Sequence, residues 1–125
     1  MFTLDVLPGL YAVCRLDPGA SVPGWASRGD VTSMTRTPAE LSIVCDETAV
    51  PPSVKPERGW RMLALRGPID FALTGVLAAL LAPLAAAKIS IFALSTYDTD
   101  YVLVFERDLD RAVEVLRQAG HTMLE

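Results

Sequence analysis

The densest group of polar side chains in the chain is Ser95-Thr96-Tyr97-Asp98-Thr99-Asp100-Tyr101. Its two carboxylates and three aliphatic hydroxyls (Ser95, Thr96, Thr99) lie between two apolar stretches. A carboxylate accepts charge-assisted hydrogen bonds, so this set suits an ammonium group and the polar atoms near it. The same residue types also favour a plain hairpin turn, because short polar side chains bond nearby backbone groups. Seven residues are more than a hairpin needs. A second segment, Gly67-Pro68-Ile69-Asp70, opens the longest apolar stretch. If that stretch is a helix, its first turn presents unpaired N–H groups and the positive end of the dipole, which suit a carboxylate. Asp70 either caps this helix or lines a pocket beside it. Together the segments offer donors for a carboxylate and acceptors for an ammonium, the two demands of a free amino acid.

Other chemistry has less material. Cys14 and Cys45 each sit inside an apolar, strand-like run, where a thiol behaves as a small hydrophobe. The single histidine, His121, follows a helix-ending glycine. A cysteine nucleophile with His121 as base is the enzyme alternative, and nothing in the spacing supports it. There is no C-x-x-C pair, so no zinc site is expected. The expectation is a binding protein with no catalytic residue, no cofactor and no metal.

Composition narrows the class further. About half of the 125 residues are hydrophobic (51%), and the net charge is −4. The eleven basic residues are scattered and form no stripe, so no nucleic-acid partner is expected. From Phe71 to Ala87 there is a run of 17 uncharged residues. A membrane-spanning helix needs roughly 20. This run also contains Gly75 and Pro83, so it reads as a buried helix, and no membrane partner is expected. The N-terminus lacks a basic segment followed by an apolar one, which predicts a cytoplasmic protein.

The elements that position the two polar segments follow from pattern. Phe2–Leu7, Leu10–Leu16, Val31–Thr37 and Glu40–Cys45 read as strands, with a short helix or loop around Trp25. The segment 46–59 carries Pro51, Pro52 and Pro56 and reads as a connector. Beyond it the order is strand (Trp60–Arg66), helix (Asp70–Ala86), strand (Lys88–Leu94), strand (Tyr101–Glu106), helix (Asp108–Ala119), strand (His121–Leu124). This β-α-β-β-α-β order predicts an α+β fold of ferredoxin-like modules, antiparallel sheets with helices on one face. The expected modules are 1–58, a degenerate copy, and 59–125, a full one. Leu73, Leu77, Leu80 and Leu84 form a stripe on the long helix, flanked by Gly75, Ala78, Ala79 and Ala82. One sheet covers only one such side, so a second surface is expected, in a homodimer or between the two modules.

The stretch Gly67-Pro-Ile-Asp-Phe-Ala-Leu-Thr-Gly-Val-Leu-Ala, then Pro83-Leu84, then Ile89-Ser-Ile-Phe-Ala-Leu-Ser-Thr-Tyr-Asp-Thr-Asp-Tyr-Val-Leu-Val104, resembles the ACT-domain proteins akin to the CASTOR arginine sensors and the small bacterial tandem-ACT proteins. Leu10-Tyr-Ala-Val-Cys-Arg-Leu, Ser33-Met-Thr-Arg-Thr and Glu40-Leu-Ser-Ile-Val-Cys extend the likeness into the first half. The resemblance implies paired ACT modules, regulatory binding of a free amino acid at an ACT–ACT interface, and a protein target under its control. By position it implies ligand contacts from Ile69, Asp70 and Phe71, and from Phe92, Ser95, Thr96, Tyr97, Asp98 and Thr99. A purely structural assembly module is the competing reading, and ligand occupancy separates the two.

Overall fold

The structure is a computed structural model and describes residues 1–70 and 72–125. Among the described residues there are eight strands: β1 (Thr3–Val6), β2 (Tyr11–Leu16), β3 (Ser33–Arg36), β4 (Leu41–Asp46), β5 (Pro56–Leu65), β6 (Ile91–Ser95), β7 (Asp100–Phe105) and β8 (Thr122–Leu124). Two α-helices join them, α1 (Val76–Ala86) and α2 (Leu109–Gln118). The chain divides into two compact units, one of Met1–Pro8 with Arg61–Glu125 and one of Gly9–Trp60.

The larger unit carries the polar segments. Its strand order is β6-β7-β5-β1-β8. Residues 61–125 supply the β-α-β-β-α-β order, so the expected α+β, ferredoxin-like architecture is present. The N-terminal strand then enters the same sheet. β1 pairs antiparallel with β5, Leu4 opposite Leu65, and parallel with β8, Leu4 opposite Met123. The division expected at 58/59 therefore falls differently: residues 1–8 belong with the second module, and the other break falls after Trp60. The short alternating run at residues 2–7 could not reveal which module it would join, since pairing is a long-range property.

Both helices pack on one face of this sheet. Leu4, Leu63, Leu65, Val102, Val104 and Met123 from the strands meet Val76, Leu80 and Leu84 of α1 and Leu109, Ala112, Val113 and Leu116 of α2. The apolar face expected for α2 is the buried one. For α1 the expectation needs correction. The helix begins at Val76 and not at Asp70. The Asp70 carboxylate takes the Ala72 N–H at 2.8 Å, and its carbonyl takes the Leu73 N–H at 3.0 Å. These local bonds compete with helix formation. Gly75 then adopts φ +77°, a left-handed conformation that a right-handed helix excludes. Leu73 thus leaves the leucine stripe and is 52% exposed, whereas Leu80 and Leu84 stay buried.

Pro83 lies inside α1 and has no N–H to give to the Ala79 carbonyl four residues earlier. His121 supplies the missing donor. Its Nε2 lies 3.3 Å from the Ala79 oxygen, while Nδ1 accepts the Phe2 N–H at 3.3 Å. With Nδ1 accepting from Phe2, Nε2 is the ring nitrogen left to donate. The ring is buried and stacks on Phe2, centroids 5.7 Å apart. One side chain thereby ties β1 to the helix that borders the polar cavity.

The smaller unit has strand order β3-β4-β2-β5. Ala12 and Cys14 of β2 and Leu41, Ile43 and Cys45 of β4 form its core, with Ala26 and Val50. The short helix expected near Trp25 is a 3-10 turn, Gly24–Ser27, and a second 3-10 turn spans Glu47–Ala49. The proline-rich connector ends earlier than expected, because β5 starts at Pro56. Proline is tolerated at a strand's first residue, where its missing N–H is not needed by the ladder.

The proline–histidine arrangement gives a stability test. His121→Ala removes the ring from Phe2 and orphans the Ala79 carbonyl, and should cost about 2–4 kcal/mol in urea denaturation. In a Pro83→Ala background, residue 83 can donate to Ala79 itself. The cost of losing His121 should then fall by about 1 kcal/mol. Equal costs in the two backgrounds would mean that the imidazole does not serve that carbonyl.

Candidate functional site

The two polar segments meet. A cavity of about 200 Å3 is lined on one side by Ile69, Asp70, Leu73 and Val76 and on the other by Ser95 to Asp100. Sites for cofactor-sized molecules occupy roughly 300–1,000 Å3, so this volume suits a smaller ligand.

The β6–β7 connection is built by the ladder around it. β6 and β7 pair antiparallel, with Leu94 opposite Tyr101 and Ser95 opposite Asp100. Inside the turn, Thr96 N–H donates to the Thr99 carbonyl at 2.8 Å and Thr96 Oγ1 accepts the Thr99 N–H at 3.3 Å. Three further contacts press the turn against the β5–α1 connection. Ile69 N–H donates to the Asp98 carbonyl at 2.7 Å, and Thr99 Oγ1 donates to the Leu65 carbonyl at 2.6 Å. Gly67, in a cis peptide with Pro68, passes so close that a Cβ there would lie 2.9 Å from the Asp98 oxygen. Only a residue without a side chain fits that approach.

The three carboxylates are in different states. Asp70 is engaged by the Ala72 N–H. Asp100 accepts from Ser95 Oγ at 2.6 Å. The Asp98 side chain receives no hydrogen bond and makes no ion pair among the described residues, and it is exposed at the cavity. No Lys, Arg or His is among the described residues lining the cavity. The electrostatic preference is therefore for a cationic group. At the opposite wall Val76 begins α1, and the first intrahelical bond is that from Ala79 N–H to the Gly75 carbonyl. The N–H groups before it are the ones a helix leaves for an anion.

Seven of the nine residues expected at a site line this cavity: Ile69, Asp70, Ser95, Thr96, Tyr97, Asp98 and Thr99. Phe92 does not. It stands opposite Leu103, in alternation with Ile91, which packs on the helix-covered core. Period-two alternation thus turns Phe92 to the other face of the sheet. Phe71 lies outside the described residues. Leu73 and Val76 were missed as site residues, because a helix from Asp70 would have turned Leu73 into the core. Their wall is apolar, and with Tyr97, which is 81% exposed, Leu73 leaves an apolar rim at the mouth.

The cysteines belong to the smaller unit's core. Cys45 stands opposite Ala12 and Cys14 opposite Ile43, so the two free thiols are diagonal neighbours on one face, and Cys45 Sγ donates to the Asp46 carbonyl at 3.5 Å. Burial first, then the neighbouring Cys14 and Asp46, push the Cys45 thiol up to about 11. Such thiols are poor nucleophiles at neutral pH. His121 has both ring nitrogens engaged by backbone groups.

Comparison with known proteins decides the family. The ACT domain model matches residues 55–118, half of the chain. This chain belongs to the ACT domain family. A second model, of an N-terminal domain, matches residues 9–53, nearly the extent of the smaller unit. The cattle protein named cytosolic arginine sensor for mTORC1 subunit 1 is 34% identical over 101 residues, which are 72% of this ACT chain and 31% of that protein. The chain thus spans about a third of the length of the curated relatives it matches. An Agrobacterium tumefaciens crystal structure is 38% identical, with TM-score 0.93, covering 98% of this chain and 92% of that one. The regulatory subunit of aspartate kinase from Thermus thermophilus shares the ACT fold at 15% identity, TM-score 0.58, with 93% of each chain covered.

Two measurements test the site. Gly67→Ala should push the acidic turn away from the β5–α1 connection and cost about 1–3 kcal/mol. Gly24→Ala, where an added methyl meets nothing within 4 Å, is the control and should be close to neutral. A thiol reagent such as Ellman's should find no reactive cysteine in the native protein at pH 7 and two after denaturation. Rapid native reaction at Cys14 or Cys45 would reopen a role for them in chemistry.

Proposed function

We propose that this chain is a regulatory protein, not an enzyme, that holds a free amino acid in the cavity between residues 69–76 and 95–100. The observation that carries the reading is the exposed Asp98 carboxylate, without a partner among the described residues, in a small cavity bordered by the start of α1. Asp98 accepts the ligand's ammonium, and the first-turn N–H groups of α1 receive its carboxylate. Asp70 and Asp100 add negative charge, which favours an amino acid with a cationic side chain. A relative that bears the name arginine sensor supports that preference.

The cavity is open, and its rim carries Leu73 and Tyr97. A second ACT surface closes it, supplied by a homodimer. Ligand binding then alters the affinity for a protein target. The cytoplasm is the expected compartment. The relatives are named cytosolic, and no helix among the described residues is long and apolar enough to cross a membrane.

The test is a thermal-shift panel of the twenty L-amino acids, followed by titration calorimetry. One or a few, with arginine or lysine first, should raise the melting temperature, and a ligand at 100 times its Kd should add about 2.7 kcal/mol. No response to any of them at millimolar concentration would favour a module that only mediates assembly. Asp98→Ala should weaken binding by roughly ten- to a hundredfold, the loss of about 1.5–3 kcal/mol from one charge-assisted bond, with the fold intact. Asp100→Ala should act mainly through Ser95, with a smaller loss of affinity. Unchanged affinity in both variants would remove the acidic turn from the site.

A further inference from the structure

We draw no further inference here: the strongest candidate, the apolar groove of about 400 Å3 between the Gly24–Ser27 turn and the edge strand β3, with Val22, Pro23, Ala26 and Met34 in its walls, carries nothing because nothing in the structure shows what covers it.

Discussion

The bond from Ile69 N–H to the Asp98 carbonyl fixes the distance between two connections that have no regular structure of their own. Loops seldom hold a shape unless their backbone groups find partners. Here the partners are each other. The Thr99 hydroxyl adds a bond to Leu65, the last residue of β5, so the acidic turn is anchored to a sheet strand as well as to a loop. The absence of a side chain at Gly67 lets the two backbones approach. Without this approach the cavity would have no second wall, and the carboxylates would belong to an ordinary exposed hairpin. The aspartates supply charge, but backbone geometry gathers them around one cavity.

The wall formed by α1 depends on a different compensation. A proline in the middle of a helix frees a carbonyl, and a freed carbonyl near an apolar core is costly unless something donates to it. His121 donates to Ala79 from just before β8, and the same ring accepts from Phe2 just before β1. β1 needs such anchoring. It is only four residues long, and its ion pair from Asp5 to Arg66 is largely solvent-exposed. Exposed pairs contribute little net stability. Burial of Leu4 between β5 and β8, the bonds to both neighbours and the His121–Phe2 stack together hold the strand in the second module.

How much of this was legible in the sequence follows from the range of each determinant. The α2 face could be read because Leu109, Ala112, Val113 and Leu116 repeat at helical spacing, a local signal. The polar cluster from Ser95 to Asp100 was legible for the same reason, and so was its place between two strands. Three things were hidden. The start of α1 depended on a contest between helix bonds and the Asp70 turn, and uncharged residues on both sides of Gly75 read as one continuous helix. The side of Phe92 depended on strand register, and a one-residue change reverses it. The home of β1 depended on pairing partners about 60 and 120 positions away, which no local pattern encodes.

The division of labour at the cavity bears on the proposed sensing. The wall made of two connections and one helix start is closed by few bonds, from Ile69 to Asp98 and from Thr99 to Leu65, so it can open at less cost than the sheet. The sheet beneath is held by buried apolar side chains from four strands and two helices and has little freedom to follow. A ligand that bridges Asp98 and the start of α1 would therefore spend its binding energy on the relation between the acidic turn and the helix. Only the part of that energy that differs between two arrangements can shift an equilibrium between them. Asp98 meets this requirement better than Asp100. A carboxylate already bonded to Ser95 must give up that bond to meet a ligand, whereas an uncommitted one gains its bond only when ligand arrives. The greater part of any ligand-driven change should accordingly pass through the Asp98 side of the turn, whose backbone carbonyl is the one that Ile69 holds.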